Sequence, residues 1–462
     1  MAQPRNVVVV LSDDHRFDFM GFHPEAPPFL ETPAMDRMAA EGAHVANAFV
    51  TTSLCSPSRA TMLSGQYAHI HGVVDNTSPI PEGTRFFPED LRAAGVATAY
   101  IGKWHMGQEA DDPRPGFDHW VSFMGQGDYY NPTLNVDGNR AEYEGYTTDL
   151  LSDFALAWLE ERDEDQPFFL VLSHKAVHAE FEPAARHQGS YAEITPAYPA
   201  TMPRTASNAA GKPRWVLAQR GTWHGVDFMY HGRLGLGLDG FDTFYRRYAE
   251  TLRALDESLG RVLDMLDERG LSDDTLVLYL GDNGFLLGEH GLIDKRNAYE
   301  ESIRIPMLAW APGFIDPGSR IDGLVRNLDL APTVLDLMKV ETGIEMAGET
   351  FLPMLTGESD GAGRDFLYEY YWEYAFPHTP TTFALRGDRY KFIYYHGVWD
   401  TEELYDLQND PEERVNLIDV PDLQDKVRAM RAALFDRLEA EDAMRVPMRR
   451  GDWKADEGIV YD

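Results

Sequence analysis

The chain holds a single cysteine, Cys55, in 462 residues. No internal disulfide can therefore form, and a scaffold stapled by cross-links is excluded. No apolar run is long enough to cross a bilayer, and no internal repeat or low-complexity tract is present. Positive charge is scarce, with 41 Lys and Arg against 76 Asp and Glu for a formal net charge of −35. Such a chain repels polyanions, which argues against nucleic acid or a membrane as partner. An anionic substrate would need positive charge gathered locally at its site. The opening does not read as a secretory leader: the apolar stretch of "MAQPRNVVVVLSDD" runs straight into two aspartates instead of a small-residue cleavage site. As written, the expected location is the cytoplasm, or the periplasm or exterior if a signal was trimmed.

Apolar residues make up 44% and aromatics 12% of the chain, an ordinary globular balance able to fill a sizeable core. "NVVVVL" (6–11), "FFLVLS" (168–173) and "TLVLYL" (275–280) are continuous apolar runs, as expected of strands buried on both faces. Helical patterns lie between them, notably "YTTDLLSDFALAWLEER" and "FYRRYAETLRALDESLGRVLDMLDERG", the latter closed by Gly270. The alternation specifies an α/β fold with a large, mostly parallel or mixed sheet flanked by helices, in which ligands collect beyond the carboxyl ends of strands. Residues 185–240, rich in Pro, Gly, Arg and Trp, interrupt the rhythm and read as an insertion over the site. The stretch 351–365 suggests a boundary, dividing a catalytic domain at 1–357 from a smaller C-terminal subdomain at 358–462. The latter is expected to pair antiparallel strands with a helix near "QDKVRAMRAALFDRLEAE". Within it, "FALRGDRYKFIYY" reads as a hairpin turning at Gly387 and Asp388.

Asp13 and Asp14 follow the first strand run, and Asp282 with Asn283 follow another in "VLYLGDNG". Convergent oxygen donors suit a hard divalent cation, Ca²⁺ first and Mg²⁺ second, over zinc. Either pair alone could equally be turn residues and helix caps. In "TTSLCSPSRATMLSG" (51–65), Ser56 reads as an N-cap, Pro57 as the first helical position and Gly65 as the stop. That places Cys55 just ahead of a helix N-terminus, where negative charge is favoured, with Arg59 able to reach back to it. A thiolate is a poor ligand for a hard cation, so Cys55 fits beside the aspartates only if oxidised to an oxygen function. Further cationic candidates are Lys103 and His105 of "GKWHMG", His178 of "SHKAVHAE" and Lys295 of "GLIDKR". Each has a bland alternative as a solvated charge or a satisfied histidine. Lys103 and His105, two apart in an extended segment, share a face suited to an anion.

"CSPSR" followed by "ATMLSGQYAHIHGV" resembles the signature of formylglycine-dependent (type I) sulfatases, of the alkaline-phosphatase-like superfamily. "VVVVLSDDHR", "GKWHMG", "LGDNGFLLGEHGLIDKRNAYEESIRIP" and the C-terminal "LRGDRYKFIYYHGVWDTEELYDLQNDPEERVNL" resemble its other blocks, in order. The resemblance implies that a formylglycine-generating maturation enzyme converts Cys55, and that the hydrated aldehyde is both nucleophile and metal ligand. It further implies Asp13, Asp14, Asp282 and Asn283 as the other ligands, Arg59 as the holder of the diol, and Lys103 and Lys295 as sulfate binders. His178 with Lys295 would assist the leaving alcohol, and His105 would be the base that releases sulfate. The implied substrate is a carbohydrate O-sulfate. Trp223, His224 and Asp227 of the insertion, and His290, are candidate substrate contacts, although a loop packed by its own aromatics reads equally well. Alternatives are an aryl sulfate, a phosphonate or phosphate monoester, or a non-catalytic binder of sulfated glycans.

Overall fold

In the computed structural model, placement is described for all residues except 1–2, 108–109, 232–239, 398–400 and 448–462. The β-branched run at the start of the chain forms the strand Asn6–Ser12, buried at every position. It lies between Thr275–Gly281 and Phe168–Ser173, parallel to both. Ala97–Gly102 and His119–Ser122 continue the parallel set on one side. On the other side Met307–Trp310 runs antiparallel, and Ala43–Phe49 lies beyond it, so the eleven-stranded sheet is mixed. Alternate residues of the first strand feed different cores. Val8 and Val10 pack under the long helix Phe241–Glu268, whereas Val7, Val9 and Leu11 join Ala60, Met62 and Leu63 of the helix Cys55–Ser64. Burial on both faces explains why these strands read as unbroken apolar runs.

Register decides where the chemistry falls. Ser12 pairs with Gly281, Leu11 with Ser173, and Gly102 with Ser173. The carboxyl ends of four strands are therefore level, and the residues just past each of them emerge along one edge of the sheet.

A second, four-stranded antiparallel sheet runs Phe366–Tyr370, Thr382–Arg386, Tyr390–Tyr395, Glu403–Asp406. Its middle connection is the expected hairpin, closed by Gly387 N–H donating to the Tyr390 carbonyl at 3.1 Å. One face (Tyr368, Tyr370, Ala384, Ile393, Tyr405) packs on Phe49, Leu54 and Tyr299; the other (Leu367, Phe383, Leu385, Leu404) receives Val427, Leu434 and Leu438 of the helix Gln424–Ala440. Within the insertion the described residues form the short helices Ala206–Ala209, Arg214–Gln219 and Val226–Met229; its segment 232–239 lies outside the described residues. Among the described residues, no helix is long and apolar enough to cross a membrane.

One local expectation needs correction. The helix starts at Cys55 with Leu54 in the cap position, so Ser56 is not the N-cap. Its hydroxyl instead donates to the His105 carbonyl, and Asn76 Oδ1 accepts the Ser56 N–H at 3.0 Å. A side chain distant in sequence thus satisfies a first-turn donor that a local cap normally serves. The stop is as expected: Gly65 is left-handed at φ +67° and its N–H closes on the Thr61 carbonyl at 2.8 Å.

Candidate active site

The level strand ends bring Asp13, Asp14 and Asp282 together with Cys55, ligating atoms lying within 4.8 Å of one another. Cys55 Sγ is 3.5 Å from Asp13 Oδ1 and fully buried. Burial and the neighbouring Asp13 push the thiol pKa far up, so with no cation bound an unmodified Cys55 is held as the neutral thiol, a weak nucleophile.

Arg59 locks the carboxylates. Its Nη2 lies 3.2 Å from Asp13 Oδ2 and 2.8 Å from Asp282 Oδ2, while Nη1 donates to the Lys103 carbonyl at 2.7 Å and to Ser173 Oγ at 2.6 Å. Lys103 Nζ reaches Asp13 Oδ2 and Gln126 Oε1, and Lys295 Nζ reaches Asp14 Oδ1. Burial raises the pKa of Asp13, but Lys103, His178, Arg59 and Lys295 outweigh it and hold the carboxylate well below its ordinary value. Asp14 goes the other way: burial, with Asp13 and Asp282 adjoining, pushes it up against the pull of Lys295. Asp282 is likewise raised, chiefly by burial and Asp13. Three buried carboxylates crowd one point, and two of them resist ionising there.

That electrostatic tension is what a bound cation relieves. The donor set fits one: Asp14 Oδ2 and Asn283 Oδ1 are buried without a hydrogen-bond partner, while Asn283 Nδ2 donates to Asp14 Oδ1 at 2.7 Å and so leaves its oxygen free. Carboxylate and amide oxygens suit Ca²⁺ or Mg²⁺. The positive charge demanded by the acidic composition is also here, in Arg59, Lys103 and Lys295.

The histidines are set differently. His178 Nδ1 donates to the Ala179 carbonyl at 2.5 Å, which leaves Nε2 facing Asp14 Oδ2 at 3.7 Å. His105 is buried at φ +56°, its Nδ1 without a partner. Burial, and after it Lys103, drives both pKa values well below the ordinary histidine range, so both rings are neutral near pH 7.

Other sequence candidates scatter. His224 is buried, stacks on Phe376 at 4.5 Å and pairs with Asp294 at 3.4 Å, which links it to Lys295 through Asp294 Oδ1, 3.6 Å from Lys295 Nζ. Trp223 is half-exposed and stacks on Phe228; Asp227 is held by Arg220 at 3.1 Å. Among the described residues, neither forms a hydrogen bond, ion pair or ring contact with the carboxylate cluster. His290 is buried, stacked on Tyr299 at 4.1 Å, and grouped with Glu301 and Glu413 instead.

Sequence reasoning missed Ser173, Gln126 and Lys175. Ser173 ends "FFLVLS" level with Gly102, a position the strand-end argument could have flagged. Lys175 Nζ donates to the Gln126 carbonyl at 3.3 Å, lies 4.8 Å over the Tyr129 ring, and has its pKa lowered by burial and Lys103 to about 8. Gln126 sits in a glycine-flanked loop with no local signal of function.

The family profile for sulfatases matches residues 5–340, and that for the C-terminal region of N-sulphoglucosamine sulphohydrolase matches 288–441. An N-acetylglucosamine-6-O-sulfatase from Bacteroides thetaiotaomicron is 32% identical, over 89% of this chain and 82% of its own. The human N-acetylglucosamine-6-sulfatase is 30% identical over 80% of this chain and 67% of its own. A solved structure holding its substrate D-glucosamine-2-N,6-O-disulfate superposes with a TM-score of 0.87 at 28% identity, covering 96% of this chain and 99% of the other. A phosphonate monoester hydrolase of Agrobacterium radiobacter superposes at 0.75 with 19% identity, over 95% of this chain and 96% of its own, and shares the fold alone.

Proposed function

The chain belongs to the sulfatase family and is a sulfuric ester hydrolase, and from this premise we propose that it removes a sulfate ester from a carbohydrate, with an amino sugar sulfated at oxygen 6 as first choice. The names of the 32% relative and of the sugar held by the 28% neighbour support that choice. The observation that carries the reaction is the fully buried Cys55 set 3.5 Å from Asp13 among three carboxylates and three cationic side chains.

The thiol as it stands is a weak nucleophile, which favours conversion of Cys55 to formylglycine by a maturation enzyme. Once formed, the aldehyde hydrate at residue 55 would supply the attacking oxygen, and a bound Ca²⁺ or Mg²⁺ would offset charge on the transferring sulfuryl group. Asp13, Asp14, Asp282 and Asn283 would hold the metal. Arg59, anchored on Asp13, Asp282 and Ser173, fixes the helix turn that carries residue 55. The ammonium groups of Lys103, on Asp13, and Lys295, on Asp14, would take sulfate oxygens. His178, with Nδ1 tied to the Ala179 carbonyl, turns an unprotonated Nε2 into the site, where it would take the proton of the attacking hydroxyl and pass it to the departing alcohol. His105, neutral, accepts the proton whose loss frees sulfate. His224 pairs with Asp294, which in turn lies beside Lys295, so it links the insertion to this cluster.

Two measurements test the reading together. Mass spectrometry of the peptide containing residue 55, from a host competent in maturation, should show an aldehyde in place of the thiol. A panel pairing a 6-O-sulfated N-acetylglucosamine with an aryl sulfate, an aryl phosphate and a phosphonate monoester should show the sugar sulfate preferred. An unmodified thiol with full turnover removes the nucleophile, and phosphonate or phosphate preference moves the chain to the alternative ester class. Binding without turnover of any ester leaves a sulfated-glycan binder.

A further inference from the structure

A second buried cluster lies where the catalytic sheet's loops meet the four-stranded sheet. His290 comes from the turn Glu289–Gly291, Glu301 from the short helix Glu300–Ile303, and Glu413 from the segment after the strand Glu403–Asp406. Their donor atoms lie within 4.8 Å of one another, with His290 Nε2 at 4.0 Å from Glu301 Oε2. All three residues are at least nine-tenths buried, at 6%, 9% and 0% exposure. Neither His290 Nε2 nor Glu301 Oε2 has a hydrogen-bond partner, although each points into the cluster.

Charge is unbalanced there. Glu300 is matched by Arg386 and Lys391, Glu413 by Lys391 at 2.7 Å, and Glu403 by Lys212 at 3.8 Å with three tyrosine hydroxyls. Glu289 takes Arg16 at 2.6 Å. Glu301 is left over: Arg16 acts on it from a distance but is engaged by Asp18 and Glu289, and the nearest ring nitrogen, His290 Nε2, stands 4.0 Å away. A carboxyl oxygen and an imidazole nitrogen that face each other, buried and without hydrogen-bond partners, are costly for a folded protein, and are donors that a divalent cation satisfies.

We propose that His290, Glu301 and Glu413 bind a structural divalent cation of the zinc class, separate from the metal of the catalytic cluster. One imidazole nitrogen and two carboxylate oxygens are donors of that class, whereas the catalytic cluster offers oxygens suited to Ca²⁺ or Mg²⁺. Zinc takes such donors at about 2.0–2.2 Å, so a small inward turn of either side chain closes the gap between Nε2 and Oε2. Lys391 occupies only part of the lone-pair capacity of Glu413 Oε1. Because the three donors come from the Glu289–Gly291 turn, the Glu300–Ile303 helix and the C-terminal sheet, the ion fastens that sheet to the catalytic one. Metal binding of this kind adds directly to folding stability.

The test is zinc itself, read without any ester substrate. The full-length protein, incubated with zinc and then gel-filtered, should retain about one equivalent by elemental analysis and melt at a higher temperature than the chelator-treated protein. Glu301→Gln and His290→Ala should lose that zinc and its effect on melting, whereas Asp282→Asn in the catalytic cluster should keep both. Glu301→Gln is isosteric and neutral, so it decides the matter if His290→Ala fails to fold. Wild-type protein free of zinc, or a Glu301→Gln variant that retains it, overturns the site. So does Glu301→Gln matching or exceeding the wild type in melting temperature at every zinc concentration, since a proton then serves the cluster.

Discussion

Arg59 grips a single oxygen of Asp282, Nε donating to Oδ2 at 2.9 Å while Nη2 lies 2.8 Å from the same atom, with both side chains essentially excluded from solvent. The same guanidinium holds Asp13 at 3.2 Å, so one cation serves two carboxylates of the cluster and, through Ser173, the end of a third strand. Removing it leaves buried negative charge uncompensated. Arg59→Met should therefore cost about 3–5 kcal/mol of stability by chemical denaturation and abolish turnover. Arg59→Lys, which keeps the charge but loses the planar fork, should retain most of the stability and lose activity by about a hundredfold or more. Equal stability of Arg59→Met and wild type refutes this role.

Much of this arrangement was legible in the sequence because its causes are local. Unbroken apolar runs demand burial on both faces, and the residues at the carboxyl end of a doubly buried strand emerge at a ligand-binding edge. That rule puts Asp13, Asp14, Asp282 and Asn283 at one edge, whereas their role as ligands came from the resemblance and not from the strand ends. The start of the Cys55 helix was misread because the group satisfying Ser56 N–H is Asn76, twenty residues on. Gln126 and Glu413 were out of reach for the same reason: what makes them notable is a partner set by tertiary packing, Lys103 for one and His290 with Glu301 for the other. Asp227 had the right chemistry for a sugar contact, but the structure pairs it with Arg220.

The single thiol yields the cleanest functional test. Cys55 is completely buried yet has only one heavy side-chain atom beyond Cβ, so Cys55→Ala should change stability by about 1 kcal/mol or less. Its turnover should fall by at least about a thousandfold, as when a nucleophile is lost. Circular dichroism and melting temperature would confirm the fold, and a sulfate-release assay the loss. Near-normal activity in a homogeneous Cys55→Ala preparation refutes the nucleophile.

Metal dependence carries a pH signature of its own. Asp14 and Asp282 are raised by burial and mutual repulsion when no cation is present, so protons and metal compete for them. Chelation should abolish sulfate release and Ca²⁺ or Mg²⁺ should restore it. Affinity for the restoring ion should fall as pH drops from about 7.5 to 5.5, because each carboxylate must lose its proton to bind. Isothermal titration at both pH values measures this directly. Affinity independent of pH contradicts the raised carboxylates.

A last prediction concerns the attachment of the C-terminal sheet. His69 sits with Nδ1 at 2.7 Å from Glu369 Oε2 and Nε2 at 2.7 Å from the Glu441 carbonyl. Both partners can only accept, so both ring nitrogens must carry hydrogen and the imidazolium is the form that fits. Burial opposes that charge, but the hydrogen bond and ion pair to Glu369 prevail and raise the pKa above 6.5. A group whose folded pKa is raised contributes stability that is fully present below its unfolded value and is lost as pH climbs through the folded one. His69→Gln should therefore be less stable than wild type by about 1.5–3 kcal/mol below pH 6.5, the range for hydrogen bonds to charged groups. The gap should narrow as pH rises above that value and the wild-type ring is deprotonated. Denaturant unfolding of both proteins across the range measures it. A gap of constant size means that His69 serves by shape and neutral hydrogen bonds alone, and a gap that widens with pH reverses the sign required of an imidazolium.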